Sequence, residues 1–180
     1  MKPSIVILAG GGPAPGINTV ISTVAKTFLK GGYRVIGLNE GYKYLFKENP
    51  VTIDMDFLYA DSIMKQGGSA LRMSRYKPKD EEFNTNFFID NNVKLLVTIG
   101  GDDTNTTAAD LAAYLEEHDY HLTVVGLPKT IDNDVVPIRQ SLGAWTAAEE
   151  VSEYSQNVIG EHRSNPRMLI IHEIMGRHCG

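Results

Sequence analysis

Short apolar runs alternate along this chain with segments of helical spacing, and this alternation constrains the fold more than any other feature of the sequence. Four runs have the length and apolar character of buried strands: residues 4–9, 33–38, 94–99 and 122–127. Three segments carry apolar residues at helical spacing: residues 17–29, 106–117 and 143–159. Because strands that alternate with helices form βαβ units, we predict an α/β fold, an αβα sandwich around a mainly parallel sheet.

Composition excludes several classes of function. The 180-residue chain has 17 Lys and Arg against 22 Asp and Glu, a formal net charge of −5. This acidic balance argues against a general nucleic-acid binder, which normally has a basic face. The single cysteine, Cys179, cannot form an intrachain disulfide, and no apolar run approaches the ~18 residues of a membrane span. We therefore expect a cytoplasmic, globular protein with no nucleic-acid and no membrane partner.

Two of the predicted strands end in loops that are suited to an anion. Residues 10–12 are three glycines between a strand and a helix, where backbone N–H groups and the helix N-terminus can approach a phosphate. The sequence GGDDT at 100–104 places two carboxylates after another strand, and Mg²⁺ prefers carboxylates together with phosphate oxygens. In open α/β sheets, ligands bind beyond the carboxyl ends of the strands. A tight turn at 10–12 and a helix N-cap at 100–104 are the structural alternatives.

The segment 65–79 is strongly basic in this acidic chain. It contains five cationic residues and no acid: Lys65, Arg72, Arg75, Lys77 and Lys79. Arginine makes bidentate contacts to phosphate oxygens, which favours a phosphate-binding segment. A solvated basic loop is the alternative, and the segment alone does not decide between the two.

The sequence PKTIDND at 128–134 is the most unusual segment of the chain. In an extended loop alternate residues face the same side, so Thr130, Asp132 and Asp134 are predicted to face one site. A carboxylate near a substrate hydroxyl can act as a general base. A loop of Asx turns is the alternative, because Asp and Asn also favour turns. The glycine-rich loop at 10–12 and the acidic loop at 100–104 also follow strands, and their presence favours the functional interpretation.

Four motifs, in this order and spacing, resemble the 6-phosphofructokinase family: AGGGPAPGIN at 9–18, GGDDT at 100–104, PKTIDND at 128–134 and MGR at 175–177. The resemblance runs along essentially the whole chain and implies the phosphofructokinase fold, a Rossmann-like αβα sandwich. It implies a phosphate-donor-binding lobe over residues 1–140 and the beginning of a sugar-phosphate-binding lobe over residues 141–180. Since a predicted strand at 168–174 has no helix after it, we expect a truncated chain whose second lobe is incomplete.

The same resemblance implies roles for individual residues. Asp132 resembles the base that accepts the proton of the sugar hydroxyl, and Lys129 and Arg75 are the other implied catalytic residues. Asp102 resembles the aspartate associated with Mg²⁺, which is the implied cofactor. The implied phosphate-donor contacts are Gly11, Gly12, Arg75, Asp103, Thr104 and Lys129. The implied sugar-phosphate contacts are Thr130, Asp132, Asp134, Arg167, Met175, Gly176 and Arg177.

Asp103 and Lys129 stand where ATP-dependent members of the family typically have glycine, a pattern that resembles the pyrophosphate-dependent branch. If Asp103 faces the position of an α-phosphate, repulsion at ~4 Å and an effective dielectric constant of ~20 is about 4 kcal/mol. The implied reaction is Mg²⁺-dependent transfer of a phosphoryl group from pyrophosphate to the 1-hydroxyl of fructose 6-phosphate, a reversible step of glycolysis. The complete enzyme is expected to be a homo-oligomer. An ATP-dependent enzyme and a non-catalytic phosphate-binding fragment or paralogue are the alternatives.

Overall fold

The computed structural model describes residues 2–165 and 169–176. In these residues five strands form one sheet: β1 (Ser4–Ala9), β2 (Arg34–Leu38), β3 (Thr52–Met55), β4 (Val93–Gly100) and β5 (Thr123–Pro128). Five α-helices accompany them: α1 (Ile17–Lys30), α2 (Phe57–Ile63), α3 (Asn86–Asp90), α4 (Asp102–Glu117) and α5 (Ala144–Ser164). The predicted α/β class is therefore confirmed.

The strand order places a crevice in the middle of the sheet. The order is β3-β2-β1-β4-β5, with β1 parallel to both β2 and β4, β4 parallel to β5, and β3 antiparallel at one edge. From β1 the chain continues to β2 on one side and later crosses to β4 on the other. Such a reversal of winding opens a crevice at the carboxyl ends of the two central strands. The loops that follow β1 and β4 both begin at this crevice.

The central strand β1 explains why the fold has helices on both faces. Its side chains alternate between two core clusters: Ile5 and Ile7 pack in the cluster that includes Ile21 of α1, whereas Val6 and Leu8 pack in the cluster that includes Leu111 of α4. All six residues of β1 are buried. A continuous apolar run is what a parallel strand needs when both of its faces are covered.

The structure corrects the predicted strands in two places. The antiparallel edge strand β3 has no counterpart in the prediction, because its four residues are too few to show a pattern. The strand predicted at 168–174 is wrong for residues 169–174, which form no strand. Leu169 and Ile171 are 85% and 87% exposed. No described strand lies beside this segment to pair with its backbone, and an apolar run alone does not make a strand.

None of the helices within 2–165 and 169–176 combines the length and apolar character needed to cross a membrane.

We expect Gly10→Ala to lower the free energy of unfolding by about 1–3 kcal/mol, as overpacking does in a close-packed site. A Cβ atom at Gly10 would lie 2.5 Å from Thr104 Oγ1 and 2.8 Å from its Cγ2. Denaturant titration measures the change. Gly67→Ala is the matched control, because a Cβ atom there meets nothing within 4 Å. Adding Thr104→Ala to Gly10→Ala should cost less than the sum of the two single variants, and strict additivity would contradict the proposed clash.

Candidate active site

A polar cleft of about 490 Å³ opens at the carboxyl ends of the central strands. Four segments that are distant in the sequence line it: the glycine loop 10–12, residues 74–77, the start of α4 and the loop after β5. The predicted site residues on its wall are Gly11, Gly12, Arg75, Asp102, Asp103, Thr104, Lys129, Thr130, Asp132 and Asp134. The fold thus brings together in one cleft all the residues assigned to the phosphate donor and the carboxylates of the 128–134 motif.

The glycine loop turns sharply at the end of β1. Gly11 has a φ of +83°, a left-handed conformation that favours glycine. Its N–H donates to the carbonyl oxygen of Ser74 at 2.9 Å, so this amide already has a protein acceptor. Within the described residues the N–H of Gly12 has none. The backbone donor of this loop that is available to an anion is therefore Gly12.

The acidic motif forms the first turn of α4 instead of a loop. Gly101 is the N-cap, and Asp102 and Asp103 follow it as helical residues. The helix begins four residues earlier than the predicted Thr106, because carboxylates in the first turn interact favourably with the helix dipole. Both acids are exposed at the cleft, and the Asp103 side chain is 91% exposed. Its Oδ1 atom lies 3.5 Å from Lys77 Nζ.

Thr104 contributes to the cleft mainly through packing. Its side chain lies against Gly10 and Gly100, and its carbonyl oxygen accepts a hydrogen bond from the buried Tyr42 hydroxyl at 2.9 Å. Burial, and to a lesser degree the charge of Asp110, raises the pKa of Tyr42, so the phenol stays a neutral donor. These contacts join the start of α4 to the ends of β1 and β4.

Lys129 places a positive charge beneath the glycine loop. The residue is only 4% exposed, and its Nζ atom donates to the carbonyl oxygen of Gly12 at 2.6 Å. Burial lowers the pKa of Lys129, and the nearby Arg75 charge lowers it further, whereas Asp132 raises it. The ammonium group therefore contacts the same residue, Gly12, whose N–H is free, and both are donors suited to phosphate oxygens.

The lowered pKa of Lys129 predicts a pH dependence for anion binding. The ammonium group loses its proton at a lower pH than an exposed lysine, whose pKa is about 10.4. Since the neutral amine no longer attracts a phosphate, the affinity for a phosphate anion should fall with rising pH before an exposed lysine would titrate. Isothermal titration calorimetry of wild type and Lys129→Met tests this, because the ratio of the two affinities cancels the titration of the anion itself. A ratio that does not change over the alkaline range would contradict the assignment.

The loop after β5 presents two carboxylates to the cleft. Asn133 adopts a φ of +50°, and its Oδ1 accepts a hydrogen bond from the Ser141 N–H at 2.9 Å. The Oγ1 atom of Thr130 accepts a hydrogen bond from the Asp132 N–H at 3.1 Å. Although the loop is not simply extended, Asp132 and Asp134 both line the cleft.

The sugar-phosphate residues predicted near residue 175 are not brought to this cleft. Met175 is 74% exposed, and neither Met175 nor Gly176 lines the cleft wall. Arg167 and Arg177 lie outside the described residues. The roles of these four residues stay predictions.

The five cations of the basic segment 65–79 do not all reach the cleft, and the sequence does not show which of them do. Arg75 and Lys77 line the cleft, whereas Lys65 and Lys79 do not. Arg72 instead pairs with a carboxylate outside the cleft, that of Glu40, at 3.7 Å. The basic segment as a whole is a candidate phosphate binder, but the family resemblance implies a role for Arg75 alone, and Lys77 reaches the cleft as well.

The charges of the cleft allow a test of the implied magnesium site. Its wall carries four carboxylates and three cations: Asp102, Asp103, Asp132, Asp134, Arg75, Lys77 and Lys129. Among the described residues no three potential ligand side chains are grouped closely enough to hold a metal ion. Mg²⁺ usually takes one or two carboxylates and completes its shell with phosphate oxygens and water. The exposed Asp102 carboxylate, beside the cations of the cleft, fits this mode.

The fold and the cleft define an α/β protein whose polar site lies at the switch point of its sheet. The chain belongs to the phosphofructokinase family, whose model matches residues 4–180. A pyrophosphate–fructose 6-phosphate 1-phosphotransferase from Propionibacterium freudenreichii is 46% identical over 199 residues, with 100% of this chain and 49% of that protein covered. The protein of the same name from Methylotuvimicrobium alcaliphilum is 43% identical, and the match covers 98% of this chain and 48% of that protein. The chain thus spans about half the length of these curated relatives.

Solved structures show the same fold. A phosphofructokinase from Saccharomyces cerevisiae superimposes with a TM-score of 0.86 at 25% identity, over 100% of this chain and 27% of that one. A pyrophosphate-dependent phosphofructokinase from Marinobacter aquaeolei gives a TM-score of 0.78 at 20% identity, over 91% of this chain and 42% of that one. The phosphofructokinase fold expected from the four sequence motifs is therefore confirmed.

Proposed function

We propose that this chain supplies the donor-binding side of an enzyme that transfers a phosphoryl group from pyrophosphate to the 1-hydroxyl of fructose 6-phosphate. The observation that carries the proposal is the position of Asp103. Its carboxylate lines the same cleft as Arg75, Lys129 and the free Gly12 amide. Cations there suit a small polyanion, while a negative charge disfavours a donor with a further phosphate. The names of the two relatives described above, which are 46% and 43% identical, support this donor.

In the proposed reaction, Asp132 accepts the proton of the sugar 1-hydroxyl. The oxygen of that hydroxyl attacks the terminal phosphorus of pyrophosphate. The bond from that phosphorus to the bridging oxygen breaks, and phosphate leaves. Arg75 and Lys129 interact with the charged oxygens of the donor. Asp134 and Thr130 help to orient the hydroxyl. Catalysis of this kind consists mainly of positioning and electrostatic stabilisation.

Asp102 would hold Mg²⁺ together with the donor, and the ion would offset the negative charge of the pyrophosphate oxygens. Two features of the chain support this part of the proposal. The carboxylate is exposed at the cleft, and the cleft lining holds more carboxylates than cations. The chelator EDTA should therefore abolish turnover, and added Mg²⁺ should restore it.

The remaining parts of the proposal concern the whole protein. Residues 1–140 would form the donor lobe, and residues 141–180 would begin the lobe that binds the sugar phosphate. Arg167, Met175, Gly176 and Arg177 would contact fructose 6-phosphate there. We further propose a cytoplasmic homo-oligomer that acts reversibly in glycolysis.

An ATP-dependent phosphofructokinase is the second candidate function. It is favoured by a relative from Clostridium perfringens, named ATP-dependent 6-phosphofructokinase 2, which is 35% identical and covers 98% of this chain. That protein shares the family, so the choice of donor depends on the cleft residues and not on the fold.

The direct test is formation of fructose 1,6-bisphosphate by the full-length protein. Fructose 6-phosphate, Mg²⁺ and pyrophosphate are mixed with the protein, and ³¹P NMR follows the sugar bisphosphate. We expect the product to appear together with one phosphate per turnover. Product with ATP alone would establish the second candidate. Binding of pyrophosphate without product from either donor would identify a non-catalytic phosphate-binding protein.

A further inference from the structure

We infer that Lys77 is a further contact for the phosphates of the donor, beyond the residues that the sequence motifs mark. This inference rests on the proposed function, because it concerns the same pyrophosphate site. Lys77 lines the cleft together with Arg75, two residues before it in the same segment. Its Nζ atom lies 3.5 Å from Asp103 Oδ1, so the side chain reaches the first turn of α4.

The backbone around Lys77 is well anchored although the side chain is exposed. Ser74 forms a parallel bridge with Gly10, and the Ser74 Oγ accepts a hydrogen bond from the Tyr76 N–H at 2.8 Å. The Tyr76 hydroxyl donates to Glu82 Oε2 at 2.5 Å. On the other side of Lys77, the Lys79 N–H donates to Glu82 Oε1 at 3.0 Å. Because the segment is tied down before and after Lys77, this residue is held at the cleft while its flexible stem can redirect the ammonium group.

The contact that Lys77 makes in this structure is easily exchanged. The pair with Asp103 is long, and its side chains are 59% and 91% exposed. Exposed ion pairs of this kind contribute little to stability. A terminal phosphoryl group of pyrophosphate carries a larger negative charge than one carboxylate and would compete well for the ammonium group. We therefore expect Lys77 to leave Asp103 when the donor binds.

The charge of the cleft gives an independent reason for this contact. Without Lys77 the lining would hold four carboxylates against only Arg75 and Lys129. One of the three N–H donors of the Lys129 ammonium group is already used by the Gly12 carbonyl oxygen. A third cation would offset the acidic wall and raise the affinity for a polyanion.

Isothermal titration of the full-length protein with magnesium pyrophosphate tests the inference. We expect Lys77→Met to weaken binding about tenfold, the effect of losing one charge contact at a partly solvated site. Lys77→Arg should stay within about threefold of wild type because it keeps the charge. Lys65→Met is the matched control, since it removes a cation of the same basic segment outside the cleft. The KM for fructose 6-phosphate should be the same in all four proteins.

Two outcomes would overturn the inference while the wild type binds pyrophosphate normally. One is a Lys77→Met affinity equal to that of Lys65→Met. The other is a Lys77→Arg variant as defective as Lys77→Met, which would indicate a role in packing instead of charge. Absence of pyrophosphate binding by the wild type would instead overturn the proposed function.

Discussion

Replacing Asp132 with asparagine in the full-length protein is expected to lower kcat by about 10²–10⁴-fold, the contribution typical of a general acid–base residue. Asparagine has nearly the same shape but cannot accept the proton of the sugar hydroxyl. The backbone contact of this position, from the Asp132 N–H to Thr130 Oγ1, does not depend on the side chain. The fold should therefore survive, and thermal unfolding measured beside kcat verifies this.

Asp134→Asn is the matched control for that experiment, because Asp134 is an acid of the same loop and lines the same cleft. Its loss should cost less than the loss of Asp132, since it supports the base without accepting the proton. A near-normal kcat for Asp132→Asn would contradict the role of Asp132 as the general base. Equal losses in the two variants would show that the loop acts as a unit.

Replacing Asp103 with glycine is expected to raise kcat/KM for ATP. Repulsion between its carboxylate and an α-phosphate at ~4 Å ranges from about 4 kcal/mol at a dielectric constant of ~20 to about 1 kcal/mol in water. These limits correspond to gains of about a thousandfold and about fivefold. Because the Asp103 side chain is 91% exposed, we expect a gain nearer the lower limit.

Asp103→Asn separates charge from space in this experiment. Asparagine removes the negative charge but keeps the volume of the side chain, whereas glycine removes both. If repulsion excludes ATP, Asp103→Asn should recover most of the gain seen with glycine. A gain in the glycine variant alone would assign the exclusion to side-chain volume. No gain in either variant would contradict a role of Asp103 in donor choice.

The sequence predicts the fold well because the core residues of this protein follow local patterns, continuous apolar runs in strands and helical spacing in helices. The apolar run of β1 is buried on both faces, and the spacing in α1 places Ile17 and Ile21 in the core. Alternation of strands with helices indicates parallel strands, whose carboxyl ends bind ligands in open α/β sheets. The strand order that creates the switch point comes from the structure. The distribution of glycines and acids after β1 and β4 then marks where the cleft lies.

What the sequence does not predict depends on contacts between distant segments. The Gly11 N–H donates to the Ser74 carbonyl oxygen, which leaves the Gly12 N–H as the free amide of the loop. No sequence motif shows which of the two amides is free. Asn18 is another example. It reads as the end of a glycine-rich motif, yet its side chain holds the backbone of residues 66–70 through three hydrogen bonds. Such long-range bonds hold the basic segment against the glycine loop and the start of α1.

The central claim is that this cleft takes its phosphoryl group from pyrophosphate. The most direct measurement compares kcat/KM for pyrophosphate and for ATP in the full-length protein, with saturating fructose 6-phosphate and Mg²⁺ and with fructose 1,6-bisphosphate as the product. We predict turnover with pyrophosphate and a much lower kcat/KM with ATP. An equal or higher kcat/KM with ATP would contradict the claim.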